Sequence, residues 1–104
     1  MPYIDENERE ELNEAITSLV EAIKDNRGNL DNPHDFSNYL GRINYCFSRA
    51  IMMVMGDVSY KKIAMATGVL ENVKQELYRR VASVYEDRKI NSHGDIREYR
   101  NINY

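Results

Sequence analysis

Apolar residues recur at helical spacing in three stretches of the chain. In the first, Leu12, Ala15, Ile16, Leu19, Val20, Ala22 and Ile23 fall on one stripe, which predicts a helix over about 6–25. Asp5, with Glu8 three residues later, predicts a capping box in which Asp replaces the usual Ser or Thr. The acidic first turns suit the positive end of the helix dipole. Asn26-Arg27-Gly28-Asn29 closes this helix, with Gly28 as a left-handed cap, and Leu30 to Pro33 reads as a polar loop.

The second stretch predicts a helix over about 35–55. Phe36, Leu40, Ile43, Phe47, Ala50 and Val54 form its core stripe, with Tyr39 and Ile51 at the edges. Gly41 lies inside and costs roughly 1 kcal/mol against Ala, so a break is expected there, with the better helix starting near Asn44. Tyr45, Arg49 and Met52 share a second face, about 180° from Phe36 and Phe47, with Met53 and Met55 beside it. Either the tail covers this face or it is an oligomer interface or ligand wall, where Tyr, Met and Arg are enriched.

Gly56-Asp57 marks a turn and Ser59 an N-cap. A third helix follows over about 59–90, with Ile63, Ala66, Leu70, Val73, Leu77, Val81 and Val84 as its stripe. Its length, about 45 Å, outruns a small bundle. Gly68 within it is expected to allow close approach of another helix. The tail 91–104 holds Gly94, then Ile96, Tyr99, Ile102 and Tyr104. That is too apolar for a fully disordered segment, so the tail is expected to pack on the helices or on another subunit. The pattern as a whole predicts an all-α fold. It is a single helical domain over 1–104, built as a three-helix bundle with an overlong third helix and a packed C-terminal tail.

Composition sharpens this in two ways. Five glycines and two prolines among 104 residues are too few for a many-turned β fold. The net charge of −3 is also unevenly spread. Residues 1–35 carry ten carboxylates against three cations, −7, whereas the remainder carries seven against eleven, +4. Either the acidic helix simply solvates one side, or acidic and basic parts of neighbouring subunits meet. Cys46 is alone, there is no signal-peptide pattern and no long apolar run, so a cytoplasmic protein without membrane association is expected.

The chemistry-bearing residues concentrate late in the chain. On a regular wheel Tyr60, Tyr78 and Tyr85 fall within roughly 20° of one another along one edge of the third stripe. They either close the core with rings in and hydroxyls out, or stack a planar ligand. Arg79 and Arg80 diverge by about 100°. Glu76 can pair with either, and Arg80 borders the stripe, which fits a structural salt bridge or an anion or partner contact. Glu86-Asp87-Arg88-Lys89 ends the helix in mixed charge. No metal site is expected, since His34 and His93 are isolated and no His or Cys pair has ligand spacing. No phosphate loop, nucleophile elbow or dinucleotide fingerprint occurs, so no cofactor is expected. Cys46 reads as a small apolar filler. Lys61, Lys62, Arg79, Arg80 and Arg88 are too few in an acidic chain for a dedicated nucleic-acid binder.

Much of this pattern resembles an uncharacterised family of short helical proteins, about 100 residues long, of bacteria, archaea and tailed phages. The shared residues are Gly41-Arg42-Ile43-Asn44-Tyr45 with Arg49, Tyr60 to Ile63, Gly68-Val69-Leu70-Glu71, Lys74, Glu76, Tyr78-Arg79-Arg80, Tyr85-Glu86-Asp87, Lys89-Ile90 and Gly94-Asp95. Met1-Pro2-Tyr3-Ile4 fits as well. The chain departs by a longer segment between Gly28 and Gly41, by His93 where Asn precedes the Gly-Asp pair, and by a longer tail. The resemblance implies a prokaryotic or phage setting and no mechanism.

The leading functional expectation is a non-enzymatic, homo-oligomeric binding module. Its surface comprises Tyr45, Arg49, Tyr78, Arg79, Arg80, Tyr85, Glu86 and Asp87. Its target is a small anionic ligand such as a nucleotide, since arginine with tyrosine suits phosphate with base, or a host protein that it blocks. The alternatives are a small enzyme that sets Glu71, Glu76 or Asp87 beside an arginine, and a purely structural subunit.

Overall fold

The computed structural model describes residues 4–25 and 35–102. The expected Gly28 cap, the polar loop with His34, Met1-Pro2-Tyr3 and Tyr104 lie outside the described residues. The fold is all-α, with no strand among the described residues. The chain forms two units, Met1–Val58 and Ser59–Tyr104.

The first unit holds α1 (Glu6–Ile23) and α2 (Leu40–Met55), the latter entered through a short 3-10 turn, Phe36–Tyr39. Asp5 occupies the N-cap of α1, but its side chain makes no capping hydrogen bond, so the predicted capping box does not form. The chain entry is held from the other side: Arg9 Nε donates to the Ile4 carbonyl at 2.8 Å. Glu6 and Glu8 still sit in the first turn, where the dipole favours them.

The 3-10 turn is nucleated by Asp35. Its Oδ1 accepts from the Ser37 hydroxyl at 2.7 Å and from the Ser37 amide at 3.0 Å. Those two bonds hold the Asp35 carboxyl below its ordinary value. From Leu40 the backbone is regular α-helix, and Gly41 does not break it. Gly41 is the second residue of α2, preceded only by Leu40 and the 3-10 turn. Gly56 ends α2 with φ 66° and ψ −117°, and its amide donates to the Met52 carbonyl. Only glycine takes that backbone geometry without strain.

The second unit is dominated by one uninterrupted run of helix. Ser59 caps it as predicted, its hydroxyl accepting from the Lys62 amide at 3.2 Å. Then α3 (Tyr60–Leu77) passes through a π turn (Tyr78–Ala82) into α4 (Ser83–His93). Helical backbone therefore extends about 50 Å, three residues further than expected at its end. Gly94, at φ 85°, ends it. A single-turn helix, α5 (Arg97–Arg100), follows. Nothing lies within 4 Å of a Cβ placed on Gly68, so within this structure the glycine serves no close helix approach.

The apolar stripes form, but little covers them. Ile23 and Tyr39, 8% and 6% exposed, are the buried hydrophobic residues among those described. Leu12, Ile16 and Val20 on α1 stay exposed, as do Phe47 on α2, Leu70 and Leu77 on α3 and Val84 on α4. Val54, expected in the core, is 88% exposed. In the tail, Ile96, Tyr99 and Ile102 are exposed too.

Glycine substitutions at two positions are expected to act with opposite signs. Gly56→Ala strains a positive-φ position and lowers stability by about 1–3 kcal/mol. Gly68→Ala, in open helix interior, raises it by about 1 kcal/mol. Urea unfolding followed by circular dichroism reads both.

Candidate functional site

The residues singled out from sequence fall in both units. Tyr45 and Arg49 lie on α2 in the first; Tyr78, Arg79, Arg80, Tyr85, Glu86 and Asp87 lie on the long helix in the second.

On α2 the one-turn spacing of Tyr45 and Arg49 stacks the guanidinium over the ring, 5.9 Å from its centroid. Arg49 also reaches the Met53 sulfur at 3.8 Å. An exposed cation–π contact of this kind contributes about 0.5–1 kcal/mol and fixes the direction of both side chains. Tyr45 borders a cleft of about 320 Å³ at the joint between α1 and α2, lined by Ala22, Ile23, Gly41, Arg42, Tyr45 and Cys46. Cys46 is half-buried there. Arg42 spans the joint: its Nη2 donates to the Ala22 carbonyl at 2.7 Å. This places a cation at the negative end of α1, on a carbonyl that also accepts from the Asp25 amide at 3.3 Å. Sequence reasoning missed this role, because no local spacing connects residues twenty positions apart.

In the second unit the Tyr-Arg-Arg triplet coincides with the π turn. Its signature is the Ser83 amide, which donates to the carbonyl of Tyr78, five residues back. A π turn contains one residue more than the α turn it replaces, so positions beyond it are turned by about 100° from a regular wheel. This corrects the tyrosine edge read from sequence. Tyr60 and Tyr78 stay in line, whereas Tyr85 rotates away from them. Tyr85 instead pairs along its own helix, with the Lys89 ammonium 5.4 Å from the ring centroid.

The arginines beside Tyr78 share one partner. Arg79 Nη2 donates to both oxygens of Glu76, at 3.0 and 3.2 Å. Arg80 Nη1 approaches Glu76 Oε2 at 3.8 Å. The carboxylate is the sheltered member of the trio: its side chain is 19% exposed, against 69% for Arg79 and 60% for Arg80. The Arg79 hydrogen bond, with the charges of both arginines, holds the Glu76 carboxyl below its ordinary value, against a smaller opposing effect of desolvation. One turn earlier Glu71 accepts from Gln75 at 2.8 Å and meets Lys74 at 3.8 Å. The trio of Glu76, Arg79 and Arg80 retains one surplus positive charge on an exposed surface. Glu86 and Asp87 lie exposed on α4.

Among the described residues no group of three or more His, Cys, Asp or Glu side chains is arranged to hold a metal ion. No described helix is long and apolar enough to cross a membrane.

The chain belongs to the family DUF6899, a domain of unknown function, whose model matches residues 1–96. The match takes in both units up to the start of the last short helix. No curated protein and no solved structure matches the chain.

The Glu76 pair predicts an acid response with a definite sign. Its folded-state pKa is depressed, so its contribution is complete above the ordinary carboxylate range and is lost as pH falls through the depressed value. Urea midpoints taken from about pH 6 down to about pH 3 should fall more steeply for the parent protein than for Glu76→Gln. Equal slopes would remove Glu76 from the stability of the long helix.

Proposed function

We propose that this protein is a non-enzymatic interaction module that works as a homo-oligomer. The observation that carries the reading is the exposure of most of the apolar stripes on α1, α2 and α3. A chain this short lives on a narrow margin of stability. Leaving Leu12, Ile16, Phe47, Leu70 and Leu77 in water forfeits most of the driving force that a domain of this size can gather. Association recovers it. On this reading the single domain over 1–104, with its three-helix packing, long third helix and covered tail, is a property of the assembled protein. Its setting is the cytoplasm of a prokaryotic cell, where bacterial, archaeal and phage-borne copies act.

The binding surface is assigned to Tyr78, Arg79, Arg80 and Tyr85 with Glu86 and Asp87, and to Tyr45 with Arg49. π turns recur at functional positions in helices, and here one frames the arginine pair. The surplus positive charge of the Glu76, Arg79 and Arg80 trio, which follows Tyr78 in the chain, fits a small anion such as a nucleotide, or an acidic patch on a host protein. The acidity of Glu76 counts against the enzymatic alternative. Its pKa is shifted down, as in an ion pair, whereas a carboxylic acid that donates protons near neutrality needs the opposite shift.

Light scattering across micromolar concentrations is expected to return a multiple of the 12.2 kDa chain mass. Thermal stability should rise with protein concentration, as association requires. A monomer mass throughout would overturn the oligomer. Thermal-shift screening with mono-, di- and cyclic nucleotides tests the ligand: stabilisation that Arg79→Ala with Arg80→Ala abolishes supports a nucleotide. Unchanged melting at millimolar ligand rules that target out and leaves a protein.

A further inference from the structure

The charge on the helices says which surfaces meet when copies associate. From Glu6 to Ile23, α1 carries six carboxylates and one cation, a net −5. The run from Tyr60 to His93 carries seven cations and four carboxylates, a net +3. Pairing α1 with another α1 would set −5 against −5, so a self-paired first helix is disfavoured electrostatically. Within its own unit α1 is tied to α2 at its C-terminal end, through Arg42 and Ala22, while Leu12, Ile16 and Val20 remain exposed.

The stripe of α3 is a complementary surface. The two helices have 18 residues each, about 27 Å, so they match in length. At 100° per residue, Lys62 and Lys74 fall on either flank of the Ile63–Leu70–Leu77 line, and Glu8 and Glu11 fall on one flank of the Leu12–Ile16 line. Apolar seams bordered by opposite charges set partner and orientation, as the flanking positions of coiled coils do. The carboxylates of α1 crowd its first three turns, and Arg79 and Arg80 follow directly on the C-terminal end of α3. An antiparallel pairing brings those ends together and opposes the two helix dipoles.

We propose that α1 of one copy packs antiparallel along α3 of a second copy. The contact occurs twice in a two-fold dimer, with the Arg79–Arg80 end of α3 receiving the acidic start of the partner helix. This rests on the oligomer reading above. It gives the arginine pair a destination: Glu76 orients Arg79 and Arg80 within the chain, and the surplus charge faces the second copy.

Cysteine cross-linking in full-length chains with Cys46→Ser tests it, with light scattering alongside. Two differently tagged chains are co-expressed, one with Glu11→Cys and the other with Lys74→Cys. A disulfide joining the two tags is expected, with none for the parallel-register pair Glu8→Cys and Lys62→Cys. Reversing the charge with Glu8→Lys and Glu11→Lys should raise the dissociation constant at least tenfold, about 1.4 kcal/mol, and Lys74→Glu with Arg79→Glu should restore it. If the protein is oligomeric but the link forms only in the parallel register, or not at all, the α1–α3 exchange is overturned and the oligomer stands. A monomer mass overturns both. A charge-reversed variant of unchanged affinity overturns the electrostatic pairing.

Discussion

An amphipathic helix contributes to stability only when something covers its apolar face, and that requirement governs this protein. Its helices are well formed locally: a serine cap at Ser59, an aspartate-nucleated turn at Asp35 and glycine stops at Gly56 and Gly94 mark their ends. Each device closes backbone hydrogen bonds at an end and buries almost no apolar surface. The stripes themselves, from Leu12 on α1 to Val84 on α4, face outward. Isolated helices of this length are marginal in water, because helical stability in proteins comes mainly from packing. On the reading proposed above, that cover comes from other copies of the chain.

Polar interactions inside the chain are nearly all short-range. Arg79 with Glu76, Arg49 with Tyr45 and Lys89 with Tyr85 lie within one helical turn of each other. Arg42 on the Ala22 carbonyl reaches further, across twenty residues, and fastens the joint of the first unit. Pairs within a turn orient long side chains at little entropic cost, so an exposed face presents its charges in set directions. For the Tyr78–Ala82 turn this means that Glu76 holds two arginines in place before any partner arrives.

The helices were legible from sequence because spacing and end signals are local. Leu12 to Ile23 and Ile63 to Leu77 kept a clear period, and Ser59 capped where it was expected. Gly41 misled: a propensity cost of roughly 1 kcal/mol suggested a break, yet the helix runs through it. Asp5 and Glu8 had the spacing of a capping box, but Arg9 took the chain entry instead. The site was legible in part. Glu76 could be matched to either arginine by counting, and the structure gives it both. The rotation of Tyr85 could not be counted, since a wheel at constant pitch cannot register an added residue. Arg42 was hidden for a different reason, its partner being a carbonyl on another helix.

That added residue divides the labour along a single rod. Upstream of Tyr78, the pitch aligns Ile63, Leu70 and Leu77 on one line; downstream, a new phase begins at Ser83. The two ends of one continuous helical run thus look in different directions without an intervening loop. A neighbour gripping the first segment leaves the second free to address a different molecule, so this long helix can serve as a bridge between two binding events.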